Sequence, residues 1–227
     1  LGKRIIIKRF KSLNFNFDIK EFDNFITYII ISMLLGGRIG YVLFYNFGYY
    51  LSNPFDILKI WEGGMSFHGA LIGIILGTYL FSIKKNIPTF FLLDIVSFVA
   101  PIGIFFGRLA NFINSELYGK VTEVSWGVKF IKIDNFYRHP SQLYEASLEG
   151  IIIFIILFVL VKQNFLKKWG LISSLFLILY SSFRFVIEFF REPDNQIGYI
   201  ILNLTMGQIL CLIFFTLGIL LLKKNEN

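Results

Sequence analysis

Apolar residues fill long stretches of this chain, and short polar or basic segments separate them. Six of these stretches approach the roughly 20 residues that a helix needs to cross a bilayer. They cover residues 25–45, 66–82, 90–113, 140–161, 170–190 and 204–222. The pattern predicts an all-α polytopic membrane protein with about six transmembrane helices, in which residues 1–227 form a single integral membrane domain.

Polar residues are concentrated between the third and fourth stretches, at 114–140. Within that interval Val124, Trp126, Val128 and Phe130 occupy every second position, which is the period of a short β-strand. We therefore expect a small extramembrane cap at 114–140.

Basic residues predict the orientation of the chain. Lys and Arg occur in the first 20 residues, at Lys84 and Lys85, at 162–168 and at the C-terminal end. Because cytoplasmic loops carry an excess of such residues, we expect these segments to face the cytoplasm and the cap to face outward. The net charge is +7, but the basic residues flank apolar stretches and form no stripe, so we expect no nucleic-acid partner.

Small residues recur at a spacing of four in two apolar stretches. Gly69, Gly73 and Gly77 form one series, and Gly103 and Gly107 form another. Small residues at this spacing let a neighbouring helix backbone come close, so both series predict helix-packing faces.

Two single residues also bear on the apolar stretches. Pro101 lies inside the third stretch and predicts either a kink or a division of its helix into two pieces. Cys211 is the only cysteine, so the sequence contains no disulfide pair and no Cys-based metal motif. We expect no metal site.

The segment 107–119, GRLANFINSELYG, places a charge inside an apolar stretch. At helical spacing Arg108, Asn111 and Ser115 share one face. A charge near the bilayer centre costs about 2.5 to 3.5 kcal/mol, so Arg108 needs a partner or a ligand. Arg108 and Asn111 could form a hydrogen-bonded contact between helices, or they could bind an anion.

Other ionisable residues lie in apolar stretches as well. Arg38 and His68 belong to the first two, and the fifth ends with Arg184, Glu188 and Arg191 on one helical face. If these charges were independent, their summed cost would be on the order of 10 kcal/mol. We expect them to cluster with the arginine of the third stretch around a wet cavity that binds a lipid phosphate.

Each of these residues also has a plainer interpretation. Arg184 and Glu188 neutralise each other, and an isolated His68 is more often a satisfied interior residue than a base. Beside membrane arginines, the reference pKa of histidine, about 6.5, suits proton transfer at neutral pH. Glu145 and Glu149 lie near a helix start, where negative charge is favoured without any ligand.

Two other functions fit parts of the sequence. An intramembrane serine protease would use Ser66 with the distant His139, but a match to the G-x-S-x pattern is common. The nearer histidine, His68, is only two residues from Ser66 and cannot face it on a helix. An anion or lipid transporter would also use membrane arginines. It should show an internal repeat, and the two halves of this sequence show no convincing similarity.

Five motifs, in order along the chain, resemble those of a known family. They are GGRIGYVLFYN (36–46), GGMSFHGALIG (63–73), GRLANFINSELYG (107–119), RHPSQLYEA (138–146) and RFVIEFFREPD (184–194). With them the chain resembles the bacterial phosphatidylglycerol:prolipoprotein diacylglyceryl transferases. The resemblance implies an enzyme of the bacterial cytoplasmic (inner) membrane, with its active site on the extracytoplasmic side and with no metal or organic cofactor. It also implies transfer of the diacylglyceryl group of phosphatidylglycerol to the lipobox cysteine thiol of a prolipoprotein signal peptide, with release of glycerol 1-phosphate.

The resemblance further implies two groups of site residues. In the catalytic group, His68 is a candidate base beside Arg108 and Arg184. Charge develops on the departing phosphate, and planar, permanently charged arginines suit its stabilisation. The implied substrate-binding residues are Arg108, Asn111, Glu116, Gly119 and Glu188, to which the expected clustering of membrane arginines adds Arg38.

One family feature has no counterpart in this sequence. Family members begin with an additional transmembrane helix that carries an Arg-Trp-Tyr-Gly-like motif, and neither Tyr28 nor Tyr41 occupies the position of its tyrosine. We interpret the sequence as truncated at its start or as a degraded copy. We expect an intact relative to have seven spans and an outward N-terminus.

Overall fold

The computed structural model describes residues 19–163, 168–193, 199–201 and 204–226, which are mostly helical. Residues 1–18 of the predicted cytoplasmic flank at 1–20, and Lys167 of the predicted basic group, lie outside the described residues. The chain divides into two compact units, one extending to Leu93 and the other starting at Asp94.

The first unit consists, in its described part, of helices joined by short turns. Two 3-10 turns, Pro54–Leu58 and Ile60–Glu62, precede its last complete helix. Its complete helices are α1, Ile19–Tyr45, α2, Phe47–Ser52, and α3, Phe67–Lys85.

Helix α3 begins and ends at capping residues. The Ser66 hydroxyl accepts a hydrogen bond from Gly69 N at 3.2 Å, which satisfies one of the amides that a helix start leaves unpaired. At the other end Lys84 and Lys85 complement the helix dipole, and Asn86 takes the left-handed conformation that closes many helices. Ser66, considered above as a protease nucleophile, therefore has a structural role as the N-cap.

The predicted glycine face of α3 packs against α1. A Cβ atom on Gly69 would lie 2.9 Å from the Gly40 Cα, and one on Gly77 would lie 2.6 Å from the Ser32 Cβ. Gly73 lies between them and approaches α1 equally closely. The prediction of a helix-packing face is confirmed, because only glycine permits so small a separation of two helices.

Helix α4, Thr89–Asn114, starts in the first unit and carries the chain into the second. It continues through Pro101 as one helix, so the alternative of two separate pieces is wrong. The second glycine series is also wrong as a packing face, because among the described residues nothing lies within 4 Å of a Cβ placed on Gly103 or Gly107. The close contact is on the opposite face of α4, where a Cβ on Gly150 would lie 2.8 Å from the Phe105 Cβ.

The fourth apolar stretch is helical but not uniformly α-helical. It consists of α5, Ser141–Glu145, a π-helical segment, Ala146–Ile152, and α6, Ile153–Lys162. π-helical segments are rare and occur frequently at functional sites. The apolar pattern predicts a helix here but not this change in winding.

Two further helices complete the described part of the second unit. They are α7, Leu171–Ile187, and α8, Met206–Glu226. Fully buried Ile153 and Leu157 of α6 and Ile172 of α7 belong to its apolar core.

Short antiparallel strands occur in two of the segments between helices. β1, Val128–Lys129, pairs with β2, Tyr137–Arg138, and β3, Tyr199–Ile201, pairs with β4, Leu204–Thr205. The alternation predicted a strand over 124–130, and only its last part is paired. Phe130 is buried against Phe112 and Tyr118, whereas Trp126 remains exposed.

Within the part of the chain that the structure describes, four helices are long and apolar enough to cross a membrane. Helix α7 is apolar but shorter. These helices support an all-α membrane protein, while the number of six spans and the outward direction of the cap stay predictions. The four candidate spans are Lys20–Leu43, Thr89–Asn114, Ser141–Lys162 and Met206–Lys223.

The start of α7 is capped by a carboxylate from another helix. Asp94 of α4 is fully buried and accepts hydrogen bonds from Gly170 N at 2.7 Å and from Ser173 N at 2.8 Å. The Ser173 hydroxyl donates a third at 2.7 Å. Because a helix start presents unpaired amides and a partial positive charge, this carboxylate fixes α7 to α4.

We expect Asp94→Asn to lower the stability of the folded protein by about 1 to 3 kcal/mol, because the amide loses the charge and leaves a buried donor without an acceptor. Thermal unfolding of the detergent-solubilised protein would measure the loss. Ser173→Ala removes only one hydroxyl and should give a smaller decrease. Equal stability of Asp94→Asn and the wild type would show that this cap contributes nothing.

Candidate functional site

Two arginines from different helices meet at one buried carboxylate. Arg108 of α4 places its Nε 2.6 Å from Glu145 Oε2, and Arg184 of α7 donates from Nη1 to Glu145 Oε1. Glu145, the last residue of α5, is fully buried. Its two oxygens thus join helices α4, α5 and α7 at one point.

Further charges surround Arg184. Its Nη2 lies 2.7 Å from Glu188 Oε2, its Nη1 lies 3.8 Å from Glu149 Oε1, and Arg191 Nη1 lies 3.9 Å from Glu188 Oε2. Arg184 and Glu188 pair as their spacing of four predicts. Helix α7 ends at Ile187, however, so Arg191 approaches Glu188 from the segment after the helix, where it forms an isolated β-bridge with Gly119, and not from a shared helical face. We call the whole set the arginine–glutamate cluster: Arg108, Arg184, Arg191, Glu145, Glu149 and Glu188.

Mutual pairing explains how these charges are tolerated in an apolar bundle. Three arginines and three glutamates give the cluster a formal charge of zero, and Glu145 and Glu149 are both completely buried. Removing one member of a buried ion pair typically costs about 3 to 5 kcal/mol, since the other charge is left uncompensated. The members of the cluster therefore depend on one another.

Arg108 is the more accessible arginine of the central pair. Its side chain is 18% exposed, against 8% for Arg184. Its Nη1 lies 3.5 Å from Asn111 Oδ1, and Asn111 Nδ2 donates to Glu116 Oε2 at 3.0 Å. The structure thus brings together three residues that the sequence analysis selected, at the end of the cluster that an anionic ligand can reach.

The turn after α4 holds Glu116 in a strained backbone. Ser115 and Leu117 have φ angles of 63° and 52°, which non-glycine residues rarely adopt. The start of α5 stabilises this turn, because Gln142 Nε2 donates to the Glu116 carbonyl at 2.6 Å and the Ser141 hydroxyl donates to the Leu117 carbonyl at 3.1 Å. Strain of this kind persists only where the surroundings enforce it, and it is concentrated at functional sites.

Gly119 is enclosed by backbone. Its N–H donates to the His139 carbonyl at 3.0 Å, and the Arg138 guanidinium donates to its carbonyl at 3.1 Å. A Cβ atom on Gly119 would lie 2.7 Å from the Phe190 carbonyl oxygen and 2.7 Å from the His139 Cβ. Gly119 therefore acts through its lack of a side chain, which lets the backbone at His139 and Phe190 come close to it.

His139 and Tyr144 connect the cap to α5. Trp126 Nε1 donates to the Tyr144 hydroxyl at 2.7 Å, and that hydroxyl lies 3.2 Å from His139 Nδ1. Burial lowers the pKa of His139, which favours a neutral ring. His139 is thereby committed to a structural contact.

Arg38 belongs to the first unit, where its guanidinium holds a loop. All five of its N–H directions are taken by backbone carbonyls, so the loop before α3 closes around this side chain. The acceptors, at 2.5 to 3.2 Å, are the carbonyls of Asp56, Ile57, Lys59, Gly63 and Gly64. Head-group binding by Arg38 stays a prediction. His68 lies in the first turn of α3, but its side chain is outside the described part of the structure.

Metal ligation finds no support in the same region. Within the described ranges, no group of three or more His, Cys, Asp or Glu side chains is arranged to hold a metal ion. Carboxylates hold both central arginines: Arg108 forms an ion pair with Glu145, and Arg184 forms a hydrogen bond to the same carboxylate.

Comparison with known proteins identifies the family of the chain. A family model described as prolipoprotein diacylglyceryl transferase matches residues 1–223. The chain belongs to the prolipoprotein diacylglyceryl transferase family. Members of this family are transferases.

Three curated relatives carry the name phosphatidylglycerol–prolipoprotein diacylglyceryl transferase. The relative from Rickettsia bellii (strain OSU 85-389) is 54% identical over 91% of this chain and 79% of its own length. The relative from Rickettsia felis is 52% identical over 91% of this chain and 80% of its own length. The relative from Rickettsia akari is 50% identical over 97% of this chain and 85% of its own length.

Glu145 and Glu149 of this transferase-family chain belong to the arginine–glutamate cluster, but the sequence pattern did not single them out. Their position near a helix start offered a sufficient local explanation, whereas the structure places both in the arginine–glutamate cluster. A signal was present in the sequence. Two glutamates four residues apart share a helical face inside an apolar stretch, and membrane arginines require carboxylate partners.

We expect Gly119→Ala to destabilise this family member by about 1 to 3 kcal/mol, because the added methyl group overpacks against the His139 and Phe190 backbone. Transfer activity should fall with it, since the same segments position the turn that carries Glu116. Gly103→Ala is the matched control, because its Cβ would enter open space. Equal effects of the two substitutions, by thermal unfolding and activity, would contradict the steric explanation.

Proposed function

We propose that this protein transfers the diacylglyceryl group of phosphatidylglycerol to the lipobox cysteine thiol of a prolipoprotein and releases glycerol 1-phosphate. The observation that carries the proposal is the pair Arg108 and Arg184, fixed by one buried carboxylate at Glu145. Relatives at 50 to 54% identity that bear the transferase name support it.

The arginine pair supplies recognition of the lipid phosphate. Arg108 is partly exposed and keeps donors that are not directed at Glu145, so it makes the first contact with the phosphate. Arg184 is more deeply buried than Arg108 and adds positive potential on the inner side of the site. Guanidinium groups suit this task because their planar N–H donors match phosphate oxygens in pairs.

The reaction is a direct displacement at the glycerol carbon that bears the phosphate. The thiol sulfur forms a bond to that carbon while the carbon–oxygen bond to phosphate breaks. The bonding electrons leave with the oxygen, which yields glycerol 1-phosphate and a thioether. The thiol proton passes to a base, for which His68 is the candidate. The nucleophile belongs to the prolipoprotein, so no serine or cysteine of this chain is required.

The cluster accelerates this step by being in place before charge develops. Negative charge grows on the departing phosphate oxygens, and donors already oriented by Glu145 and Glu188 need no rearrangement to stabilise it. Removing one such donor typically lowers a rate about 100-fold to 1000-fold. Asn111 and Glu116 shape the wall of the site beside Arg108.

The proposed setting is the bacterial cytoplasmic (inner) membrane. Six spans within a single membrane domain would place the cap at 114–140 and the arginine–glutamate cluster toward the extracytoplasmic side. Both substrates, a phospholipid and a signal peptide with a lipobox, reside in or at the bilayer. Candidate spans and basic segments beside them support this arrangement.

The proposal is tested by mass spectrometry of a lipobox peptide incubated with phosphatidylglycerol and membranes that contain this chain. We expect a diacylglyceryl mass gain on the cysteine, none on a peptide with serine in its place, and loss of the gain in Arg108→Ala. Membranes with the Rickettsia bellii relative control for the assay. Product from that relative, with none from this chain, would reject the proposed activity.

A further inference from the structure

The Glu188 carboxylate is held by the start of another helix. The Thr205 hydroxyl, immediately before α8, donates to Glu188 Oε1 at 3.0 Å, and both side chains are buried. Through its other oxygen Glu188 pairs with Arg184 Nη2 at 2.7 Å. One carboxylate therefore connects the start of α8 to a central arginine of the cluster.

Thr205 is itself fixed by a reciprocal capping contact. Its hydroxyl oxygen accepts a hydrogen bond from Gln208 N at 3.2 Å, and Gln208 Oε1 accepts one from Thr205 N at 3.1 Å. This is the capping box, here with threonine and glutamine. A hydroxyl group has a single proton to donate. The Thr205 hydroxyl accepts from Gln208 N through its oxygen, so its proton remains available for the hydrogen bond to Glu188.

Gly207 provides the space that the carboxylate occupies. A Cβ atom at this position would lie 2.9 Å from Glu188 Oε1 and 3.2 Å from its Cδ. The carboxylate thus lies against the first turn of α8, where the partial positive charge of a helix start favours it. Residues 205, 207 and 208 together define one position for Glu188.

We propose that Thr205 is a positioning residue for Arg184 and that it acts through Glu188. The inference rests on the proposed function, because the purpose of the fixed Arg184 is to meet the lipid phosphate. Arg184 is held on one side by Glu145 and on the other by Glu188. Loss of the Thr205 hydroxyl frees the carboxylate to rotate, and the guanidinium then loses its close contact with Glu188.

Three substitutions test the role of the hydroxyl. Thr205→Val keeps the shape of the side chain and removes the hydroxyl, and Thr205→Ser restores it. Thr216→Val is the matched control, because Thr216 lies on the same helix and its exposed hydroxyl bonds only locally, to the Leu212 carbonyl. We expect Thr205→Val to lower kcat/KM for phosphatidylglycerol roughly tenfold, with most of the loss recovered in Thr205→Ser. Wild-type kinetics in Thr205→Val, or equal losses in Val and Ser, would overturn the proposal.

A double-mutant cycle tests whether Thr205 acts through Glu188. In a Glu188→Gln background, Thr205→Val should change kcat/KM less than twofold, because the carboxylate that it positions is gone. A full tenfold loss in that background would overturn the inference. Gly207→Ala offers a second test, since it leaves the hydroxyl in place and displaces the carboxylate, and it should lower kcat/KM in the same direction.

Thermal unfolding tests the same coupling without a measurement of activity. Thermal unfolding of the wild type, the two single variants and the double variant should show non-additive shifts, whereas additive shifts would mean that Thr205 and Glu188 are not coupled. Absence of thioether product from the wild-type chain would count against the proposed function alone. The two failures are therefore distinguishable.

Discussion

Glu145→Gln should lower the rate of diacylglyceryl transfer about 100-fold or more, the largest effect that we expect from a substitution that preserves shape. Glutamine presents one acceptor and one donor where glutamate presents two acceptors to two arginines. One of Arg108 and Arg184 would then face an N–H group, so both guanidinium groups would lose their fixed orientation. Initial rates of thioether formation in membranes would measure the loss.

The same substitution should also destabilise the fold. Leaving a buried charge uncompensated costs about 3 to 5 kcal/mol, so the thermal unfolding midpoint should fall together with the rate. Glu123→Gln, at an exposed position of the cap, is the matched control and should affect neither quantity. Activity of Glu145→Gln within threefold of the wild type would contradict a bridging role for this carboxylate.

Arg184→Lys should also cost about 100-fold to 1000-fold in rate, although the charge is kept. Arg184 contacts Glu145 through one nitrogen and Glu188 through another. The planar guanidinium group places two nitrogens toward two different carboxylates. A lysine ammonium has a single nitrogen and cannot make both contacts. Rates measured at saturating and at limiting phosphatidylglycerol would separate an effect on catalysis from one on lipid binding.

Arg191→Lys provides the graded comparison for that prediction. Arg191 approaches Glu188 only to 3.9 Å, so a lysine there should cost less than at position 184. Equal losses at 184 and 191 would mean that overall positive charge, and not the orientation of Arg184, is what the reaction requires.

Features that depend on one helix were predictable from the sequence. Arg184 and Glu188 pair because a spacing of four residues places them on one side of the last turn of α7. The glycine face of α3 was predictable for a similar reason, since three small residues at a spacing of four form a continuous groove. In both cases the spacing within one helix is enough to place the residues that make the contact on the same side of it.

Features that depend on which helices meet were not predictable in the same way. Glu145 lies 39 residues from Arg184 in the sequence, so nothing local reveals the contact between them. The glycines at 103 and 107 satisfy the same rule as those of α3, yet α4 packs closely through Phe105 on its other face. A spacing rule identifies a face that can pack, and the arrangement of neighbouring helices decides which face does.

The most direct test of a phosphate-binding arginine pair is the stoichiometry of the two products. Phosphatidylglycerol labelled in its head group would be supplied with a lipobox peptide to membranes that contain the wild type or Arg108→Ala. We predict one labelled glycerol 1-phosphate for each thioether formed by the wild type, and neither product from the variant. Thioether without glycerol 1-phosphate, or equal product from Arg108→Ala, would contradict displacement of the phosphate at this cluster.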